Sequence, residues 1–264
     1  MRYILYGEGT ELSLYDPRLL NYIRSLISQQ SSKRPRTLAE RHKKDFSQIG
    51  QSALVDKLLS GRRAGFFVEC GAADGERYSN SLLFELERNW TGLLIEANPS
   101  YHRDLLVKNR RAYVLSTCLS TERRPMTVEL QPAGVFGGIA NMMHPSHVKR
   151  IGDRKRPKVV VNCFTLNSIM ASLDVSHVDY LSLDVEGPEL EILRTIDWSR
   201  LRTDVITVEY AIVGKGNNVD RPATLRKLKN LRKFFNETGI YREVVVLPLG
   251  LSDAEGQDVV FLRI

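Results

Sequence analysis

The chain has 264 residues, 42% of them hydrophobic and 26% charged, which is typical of one globular α/β domain and excludes a chain that is disordered throughout. No stretch approaches the ~20 consecutive apolar residues of a membrane-spanning helix, and residues 1–15 lack the layout of a signal peptide. The formal charge of +7 collects in residues 33–44, 149–158 and 221–233, which suits anionic partners such as nucleic acid, phosphorylated substrates or an acidic membrane surface. The basic residues of the last cluster are interpreted first as the solvated face of an amphipathic helix. No nucleic-acid-binding motif accompanies these segments, so we expect no nucleic-acid partner.

The first 47 residues differ from the rest and are predicted to form an N-terminal arm that is partly disordered. A short helix is expected over 17–26, whereas 29–44 are polar, basic and interrupted by Pro35. A helix over 48–59 then leads into the core. The main domain is therefore predicted to span residues 48–264.

Beyond the arm, apolar runs of strand length alternate with helical patterns of about ten residues. Strands are predicted over 65–70, 92–96, 112–116, 178–185 and 205–210, and helices over 79–88, 101–108, 165–173, 188–195 and 223–237. Two half-exposed strands, 126–130 and 159–163, flank a predicted loop over 134–147. The last strands, 241–247 and 258–263, are separated only by a turn over 248–256 and should pair antiparallel.

This order of elements predicts an α/β fold with a Rossmann-like sheet of the class I methyltransferase type. The sheet should be mostly parallel, with one antiparallel strand at the C-terminal end and helices on both faces. Open parallel sheets bind ligands at the carboxyl ends of their strands. The residues that follow each strand are therefore the candidates for a functional site.

The first strand of the domain ends in a glycine loop that is flanked by acidic residues. Gly71 lets the backbone turn sharply, and Gly75 permits close approach of the next segment. A dinucleotide-binding loop reads Gly-x-Gly-x-x-Gly, whereas the spacing here is Gly-x-x-x-Gly. The carboxylates of Glu69 and Asp74 would repel a pyrophosphate but could hold the ammonium group of a methionine moiety. The loop therefore favours S-adenosylmethionine over a dinucleotide as the cofactor.

The second strand of the domain ends in Glu96, which is followed by Asn98. An acidic residue about twenty positions beyond a glycine loop is where a ribose diol binds, through paired hydrogen bonds to the carboxylate. A glutamate at a strand end could by itself be a solvent-exposed cap. The preceding glycine loop favours ribose binding.

Two further carboxylates, Asp184 and Glu186, follow the strand at 178–185. Because they stand at alternate positions, their side chains should point to the same side. They could orient an acceptor hydroxyl group or act as a base; alternatively, Asp184 could cap the next helix and bond the glycine loop. Glu209 ends the following strand at the same edge. Since clustered carboxylates repel one another, this set of acids is hard to explain by stability and indicates a functional site.

The inserted loop carries three further candidates, Asn141, His144 and His147. A histidine there could serve as a base near neutral pH. The alternative is that a histidine in a surface loop has no special role. The sequence leaves this choice open.

The cysteines Cys70, Cys118 and Cys163 are odd in number and far apart, and none forms a Cys-x-x-Cys pair. No metal site or redox motif is therefore predicted. Each lies in or beside a predicted strand and is interpreted as a small buried hydrophobic residue. The glycosylation triplets at Asn89 and Asn236 would matter only in a secretory compartment.

The ordered set of motifs resembles the FkbM-type methyltransferase family over about residues 48–264. The match rests on the glycine loop and on residues 95–99, 165–169, 183–189 and 208–209. The family implies a class I fold and methyl transfer from S-adenosylmethionine, usually to an oxygen of a sugar, polyketide or other small molecule. By position, it implies cofactor contacts and a reacting centre at these residues: Glu69, Gly71, Gly75, Glu96 and Asn98 for the cofactor, and Asp184 and Glu186 beside the reacting centre.

The variant of the glycine loop in this chain, with residues 79–81 and 92–97 after it, is similar to the animal Star-like branch of the family. The arm segment 16–20 looks like that branch as well. Star-like proteins are usually anchored in the membrane through an upstream segment and act in secretory trafficking of signalling cargo. The resemblance therefore implies one of two functions. One is O-methylation of a small molecule or glycan; the other is non-catalytic binding of protein cargo in the endoplasmic reticulum, Golgi and endosomal membrane system.

Overall fold

A computed structural model describes residues 12–29, 34–248 and 256–264 of the chain. The remaining residues of the predicted arm, and residues 249–255 of the predicted C-terminal turn, lie outside the described residues. In the part of the chain that is described, no helix is both long and apolar enough to cross a bilayer.

The elements follow the predicted alternation of strands and helices. The strands are β1 (Ile27–Gln29), β2 (Phe66–Cys70), β3 (Thr91–Ile95), β4 (Tyr113–Leu115), β5 (Cys118–Leu119), β6 (Met126–Gln131), β7 (Gly138–Ile139), β8 (Val159–Phe164), β9 (His177–Leu183), β10 (Arg202–Glu209), β11 (Tyr241–Pro248) and β12 (Gly256–Arg263). The helices are α1 (Pro17–Leu26), α2 (Gln51–Leu58), α3 (Leu82–Glu87), α4 (Pro99–Val107), α5 (Pro145–Ile151), α6 (Leu166–Ser172), α7 (Glu189–Thr195) and α8 (Arg221–Thr238).

An eight-stranded sheet forms the centre of the described structure, in the order β1-β4-β3-β2-β9-β10-β12-β11. The strands from β4 to β10 in this order run parallel, and β12 is antiparallel to both β10 and β11. The predicted class I methyltransferase fold is thereby confirmed. The sequence missed β1, which pairs antiparallel with β4 at the opposite edge. Its three residues are too few to show an alternating pattern.

Alternate residues of the central strands cover the two faces of the sheet, which is why helices pack on both. Val68 and Leu181 belong to the apolar cluster that includes side chains of α1, α6, α7 and α8. Phe67, Leu94 and Tyr180 belong to the opposite cluster, with side chains of α2, α3 and α4. A strand covered on both faces must be apolar nearly throughout. Glu69, which lies near the carboxyl end of β2 and is 3% exposed, therefore stands out.

The helix predicted from residue 79 begins only at Leu82, because the preceding residues bond to the end of β2. The Glu69 carboxylate accepts hydrogen bonds from Ser79 Oγ at 2.9 Å and from the backbone N–H of Asn80 at 2.7 Å. The Ser79 hydroxyl oxygen still accepts the Leu82 N–H at 3.2 Å, in the manner of a cap. The helix predicted over 79–88 is therefore preceded by a turn that the sequence did not reveal.

The described part of the arm is joined to the domain by hydrogen bonds. Ser168 Oγ, on α6, donates to the Leu14 carbonyl at 2.7 Å. The Glu76 carboxylate accepts the Ala39 N–H at 2.9 Å. The division of the chain at residue 47 stays a prediction.

A second, four-stranded sheet is built from the insertion, in the order β5-β8-β6-β7. The predicted strands at 126–130 and 159–163 are confirmed as β6 and β8. The loop predicted over 134–147 was wrong in part, because it contains β7 and the start of α5. A two-residue strand leaves no periodic signal, and α5 is held by its cap, where His144 Nδ1 accepts the Ser146 N–H at 3.3 Å.

Cys118 and Cys163 face each other across the parallel pair of β5 and β8 and form a disulfide, with 4.4 Å between their Cα atoms. The interpretation of these two residues as buried hydrophobes was wrong. Their partnership depends on strand pairing across 45 residues of sequence, which no local pattern reveals. The interpretation is confirmed for Cys70, which is buried and free.

We expect the variant Cys118→Ala/Cys163→Ala to lose about 4 kcal/mol of unfolding free energy, because the disulfide closes a long loop in the unfolded chain. Urea unfolding of the oxidised wild type and the double variant measures this difference. A thiol reductant should lower the wild type to the level of the variant. The control Cys70→Ala should respond to the reductant as the wild type does. An unfolding midpoint of the wild type that is the same with and without the reductant would contradict the prediction.

Candidate functional site

A cavity of about 870 Å³ opens at the carboxyl ends of β2, β3, β9 and β10. This is the edge where open parallel sheets bind their ligands. The volume lies within the roughly 300–1,000 Å³ of small-molecule sites. Carboxylates from all four strand ends line the cavity, as the sequence predicted: Glu69, Glu96, Asp184, Glu186 and Glu209.

The turn after β2 can be made only by a residue without a side chain. Gly71 has a φ of +84°, and a Cβ at this position would lie 1.8 Å from the carbonyl oxygen of Asp184. The N–H groups of Gly71 and Ala72 both donate to the Ile95 carbonyl, at 3.0 and 3.1 Å. The turn therefore joins the ends of β2, β3 and β9 and forms one wall of the cavity.

Two of the predicted cofactor residues, Asp74 and Gly75, are not among the residues that line the cavity. The Asp74 carboxylate accepts the N–H groups of Glu76 and Arg77, at 2.9 and 2.8 Å, and so closes the turn that follows the loop. Gly75 packs against Leu105 of α4, whose Cδ1 would lie 2.2 Å from an added Cβ. In this structure both residues support the glycine loop from outside the cavity.

Glu69 is held by the turn at residues 79–81, and burial raises its pKa while the nearby Arg110 opposes the rise. Asn80 lies beside it and donates from Nδ2 to Ser182 Oγ at 2.9 Å. The other atom of this amide, Oδ1, is buried and accepts no hydrogen bond from any described residue. The wall next to Glu69 therefore offers an unused acceptor.

Glu96 lies at the end of β3 with its carboxylate fixed by two backbone groups. Oε2 accepts the Ala73 N–H at 2.8 Å, and Oε1 accepts the Asn98 N–H at 2.6 Å. Burial raises the pKa of Glu96 to about 7, against the opposing effect of these donors. Asn98 also lines the cavity, but its Oδ1 accepts the Ser100 N–H at 3.0 Å and caps α4. Of the two, Glu96 is the residue with free acceptor capacity.

The deepest feature of the site is a cluster of three carboxyl groups, those of Asp184, Glu186 and Glu209. One oxygen of each lies within 4.8 Å of one oxygen of the others. Burial raises the pKa of Asp184 to about 6 and raises the pKa values of Glu186 and Glu209 well above their usual range. A side-chain hydrogen bond from Glu209 stabilises the ionised form of Asp184. The charge of Asp184 raises the pKa values of its two neighbours further, so Asp184 is the carboxyl group of the cluster that ionises first.

The alternative role of Asp184 as a helix cap is not what the structure shows. Its side chain makes no cap on α7, where Pro188 is the capping residue. The turn before α7 is instead held by Glu189, whose Oε1 accepts the N–H groups of Val185 and Gly187 at 3.2 and 3.0 Å. The Asp184 carboxyl group is thus left to the cavity.

The same three carboxyl groups have the chemistry to ligate a divalent cation, since Mg²⁺ and Ca²⁺ prefer carboxylate oxygens. The described residues contain a second such group on the opposite edge of the sheet, formed by His177, Asp179 and Asp204. There, Arg62 already bridges Asp179 and Asp204 and supplies the positive charge.

Of the three loop candidates, His147 reaches the acid cluster. Its Nε2 lies 2.9 Å from the Phe136 carbonyl oxygen, and because a carbonyl can only accept, Nε2 carries a proton. Its Nδ1 lies 3.2 Å from Glu186 Oε2. Burial lowers the pKa of His147 and raises that of Glu186, and both shifts favour a neutral imidazole beside a protonated carboxyl group. Asn141 is exposed and does not line the cavity.

Lys227 is a site residue that the sequence did not reveal, because α8 was interpreted as having a solvated basic face. Its ammonium group lies 2.6 Å from Glu189 Oε2, and its side chain is only 13% exposed. Its charge lowers the pKa values of Asp184, Glu186 and Glu209. Lys227 stands at helical spacing from the buried residues Thr224 and Leu231, which is the signal that could have identified it.

Asp258 extends the row of buried acids across the sheet, where it pairs with Glu209. Its Oδ2 accepts Gln51 Nε2 at 2.7 Å, while Oδ1 is buried and has no hydrogen-bond partner in the described part of the chain. Burial raises its pKa from 3.8 to about 7, and the charge of Asp184 adds to this. The folded protein thus holds a proton that the unfolded chain releases, so this group favours folding at low pH, and its contribution disappears as the pH rises towards 7.

We therefore expect the unfolding free energy of the wild type to fall by about 2 kcal/mol relative to Asp258→Asn between pH 5 and pH 8. Chemical unfolding of both proteins at several pH values gives the difference. The control Asp153→Asn changes an exposed residue and should differ from the wild type by the same amount at every pH. A constant difference for Asp258→Asn would show that this carboxyl group is ionised throughout.

The chain is similar in fold to solved methyltransferase structures. Fibrillarin from Aeropyrum pernix, solved with S-adenosyl-L-methionine, is 14% identical, with 82% of this chain and 74% of that chain covered and a TM-score of 0.44. For precorrin-6y C5,15-methyltransferase from Geobacter metallireducens the identity is 16%, the coverage 85% and 93%, and the TM-score 0.40. Methyltransferase FkbM from Methylobacillus flagellatus is 11% identical, with 76% of this chain and 44% of that chain covered and a TM-score of 0.42. A search of curated proteins gave no match.

A match at the level of the protein family covers most of the domain. Residues 69–257 match the family described as the methyltransferase FkbM domain. The matched range begins at Glu69 and ends at Gln257, so it includes every strand end that contributes a carboxylate to the cavity. The family resemblance drawn from the sequence motifs is confirmed, and the chain belongs to the FkbM methyltransferase domain family.

Proposed function

We propose that this protein is an S-adenosylmethionine-dependent methyltransferase that methylates an oxygen of a small molecule or glycan. The observation that carries the proposal is Glu96, a buried carboxylate fixed at the end of β3 beside the turn at Gly71. This pair of features, one strand apart on a parallel sheet, is suited to hold a ribose diol next to a close-packed backbone.

The residues of the cavity fit this cofactor. The Glu96 carboxylate can accept both ribose hydroxyl groups, and the unused Oδ1 of Asn80 can accept a hydrogen bond from the methionine ammonium. The negative charge of Asp184 suits a positively charged sulfonium. When bound, S-adenosylmethionine supplies a methyl group that is activated for transfer by its bond to positively charged sulfur.

The acid cluster suits the removal of a proton from an acceptor hydroxyl group. Asp184, whose pKa of about 6 leaves it ionised at neutral pH, would accept the proton of the acceptor hydroxyl group during methyl transfer. Glu209 stabilises this carboxylate through its hydrogen bond. Burial raises the pKa of Glu186 well above its usual range, and Glu186 contacts His147, so it can hold the acceptor as a hydrogen-bond donor. The alignment of the acceptor hydroxyl group with the methyl group supplies the remaining rate enhancement.

We further propose that the protein works in an oxidising compartment. The Cys118–Cys163 disulfide supports this, since disulfides persist in secretory and extracellular environments. Asn89 and Asn236, the asparagines of the two glycosylation triplets, are both exposed. A place in the endoplasmic reticulum or Golgi agrees with these features. The Star-like assignment and a non-catalytic role in trafficking stay predictions from sequence resemblance.

We expect S-adenosylhomocysteine to bind the purified protein and Glu96→Gln to weaken this binding at least about tenfold, because charge-assisted hydrogen bonds to the ribose are lost. Calorimetric titration measures both affinities. Binding to the wild type should strengthen as the pH rises through about 7, since the ribose hydroxyls favour the ionised carboxylate, whereas binding to Glu96→Gln should not change. Glu87→Gln, an exposed glutamate, is the control. No heat at millimolar ligand would refute the enzyme proposal.

The two acids of the reacting centre should respond differently to neutral replacements. Asp184→Asn should lower the rate of methyl transfer by about 100-fold or more, because the proton acceptor is lost. Glu186→Gln replaces a carboxyl group whose pKa is raised by burial with a neutral amide, and its rate should stay within a few-fold of the wild type. Transfer of a labelled methyl group to a panel of hydroxylated acceptors measures the rates. Equal losses in both variants would contradict the assignment of the base to Asp184.

A further inference from the structure

The cavity has a second wall whose charge is opposite to that of the acid cluster. Arg150, at the end of α5, and Arg154, in a short 3₁₀ helix that follows it, both line the cavity. Their guanidinium carbons lie 4.0 and 5.4 Å from the ring centroid of Phe136. A ring that contacts two guanidinium groups holds them together on one surface. We call these three residues the arginine wall.

Within the described residues, the arginines of this wall have no carboxylate partner, whereas several other arginines do. Arg110, for example, donates to Glu85 at 2.7 Å in a fully buried ion pair. Neither Arg150 nor Arg154 forms an ion pair with a described residue. The Nε of Arg150 is buried and donates to no described atom, while its Nη2 makes a long contact of 3.4 Å with Asn217 Oδ1. A buried N–H without an acceptor is costly, and a ligand that supplies an acceptor at this place would remove that cost.

The arginine wall belongs to the same chamber as the reacting centre. Arg150 lies near enough to Glu186 for its charge to lower the pKa of that carboxyl group. Arg77, the other arginine that lines the cavity, stands apart from this wall and bonds Tyr78 Oη at 3.1 Å. A molecule bound to Arg150 would therefore extend towards Asp184 and Glu186.

We propose that the methyl acceptor carries an oxyanion, a phosphate, sulfate or carboxylate group, and that Arg150 and Arg154 bind it. The guanidinium fork matches the paired oxygens of such groups and donates two hydrogen bonds at once. This inference rests on the proposed methyltransferase function and specifies its substrate class. The acid cluster takes the acceptor hydroxyl group, and the arginine wall takes the anionic end of the same molecule.

The competing explanation is that the arginine wall binds the carboxylate of the cofactor. The two explanations differ in one observable respect. If the arginines bind the acceptor, an oxyanion should bind to protein that is already saturated with S-adenosylhomocysteine. If they bind the cofactor, saturation should abolish oxyanion binding, and loss of the arginines should weaken S-adenosylhomocysteine itself.

Calorimetry of the full chain with inorganic phosphate, sulfate and malonate, with and without saturating S-adenosylhomocysteine, tests the proposal. We expect at least one of these oxyanions to bind the saturated protein, and Arg150→Gln/Arg154→Gln to weaken it by about tenfold or more. The order of the three affinities identifies the anionic group. Arg154→Gln alone changes an exposed side chain, so it tests the wall without disturbing the fold.

The matched control is Lys149→Gln/Lys155→Gln, which removes the same charge from the adjacent positions. Both lysines are exposed and neither lines the cavity, so oxyanion affinity should stay within about twofold of the wild type. Equal losses in the arginine and lysine variants would reduce the effect to net charge and overturn the proposal. The absence of oxyanion binding, or the loss of oxyanion binding when the protein is saturated with S-adenosylhomocysteine, would also overturn the proposal. Failure of S-adenosylhomocysteine to bind would instead refute the methyltransferase function, and it is measured separately.

Discussion

The close approach of β2 and β9 at their carboxyl ends is the constraint on which the site depends. The carbonyl oxygen of Asp184 occupies the place where any side chain of residue 71 would begin, so only glycine can stand there. Because the two strands meet this tightly, the ends of β2, β3 and β9 form one continuous edge. The carboxylates of Glu69, Glu96 and Asp184 are thereby brought to a single cavity from positions that together span more than one hundred residues of sequence.

The concentration of acids at this edge has a physical consequence for the resting protein. Buried carboxylates that repel one another cannot all be ionised, so the cluster divides into one carboxylate and neighbours that hold protons. Lys227, bound to Glu189, supplies positive charge from α8 but lies at the edge of the cluster. His147 contacts Glu186 through Nδ1 and is oriented by the bond of its Nε2 to the Phe136 carbonyl. The site is thus suited to bind a positively charged group and to accept one proton.

The insertion between β4 and α6 completes the cavity from the opposite side. It is a small sheet in which the Cys118–Cys163 disulfide joins β5, the first strand after the main sheet, to β8. The same insertion carries Phe136, Arg150 and His147, so the arginine wall and the histidine that orients Glu186 move together. The disulfide therefore limits how far this wall can move from the parallel sheet that carries the acids.

The sequence by itself determined the alternating elements, the fold class, the family, and five strand-end carboxylates that share one edge. These features follow from local periodicity and from glycines and acids at fixed offsets, which can be read from a single sequence. Only the tertiary structure showed the features that depend on contacts between residues far apart in the sequence. Strand pairing joins Cys118 to Cys163, helix packing buries Lys227, and the fold of the insertion sets His147 against Glu186. The structure also showed that Asp74 supports the loop from outside the cavity, because two nearby N–H groups donate to its carboxylate. The spacing of residues in the sequence cannot show which way a carboxylate points.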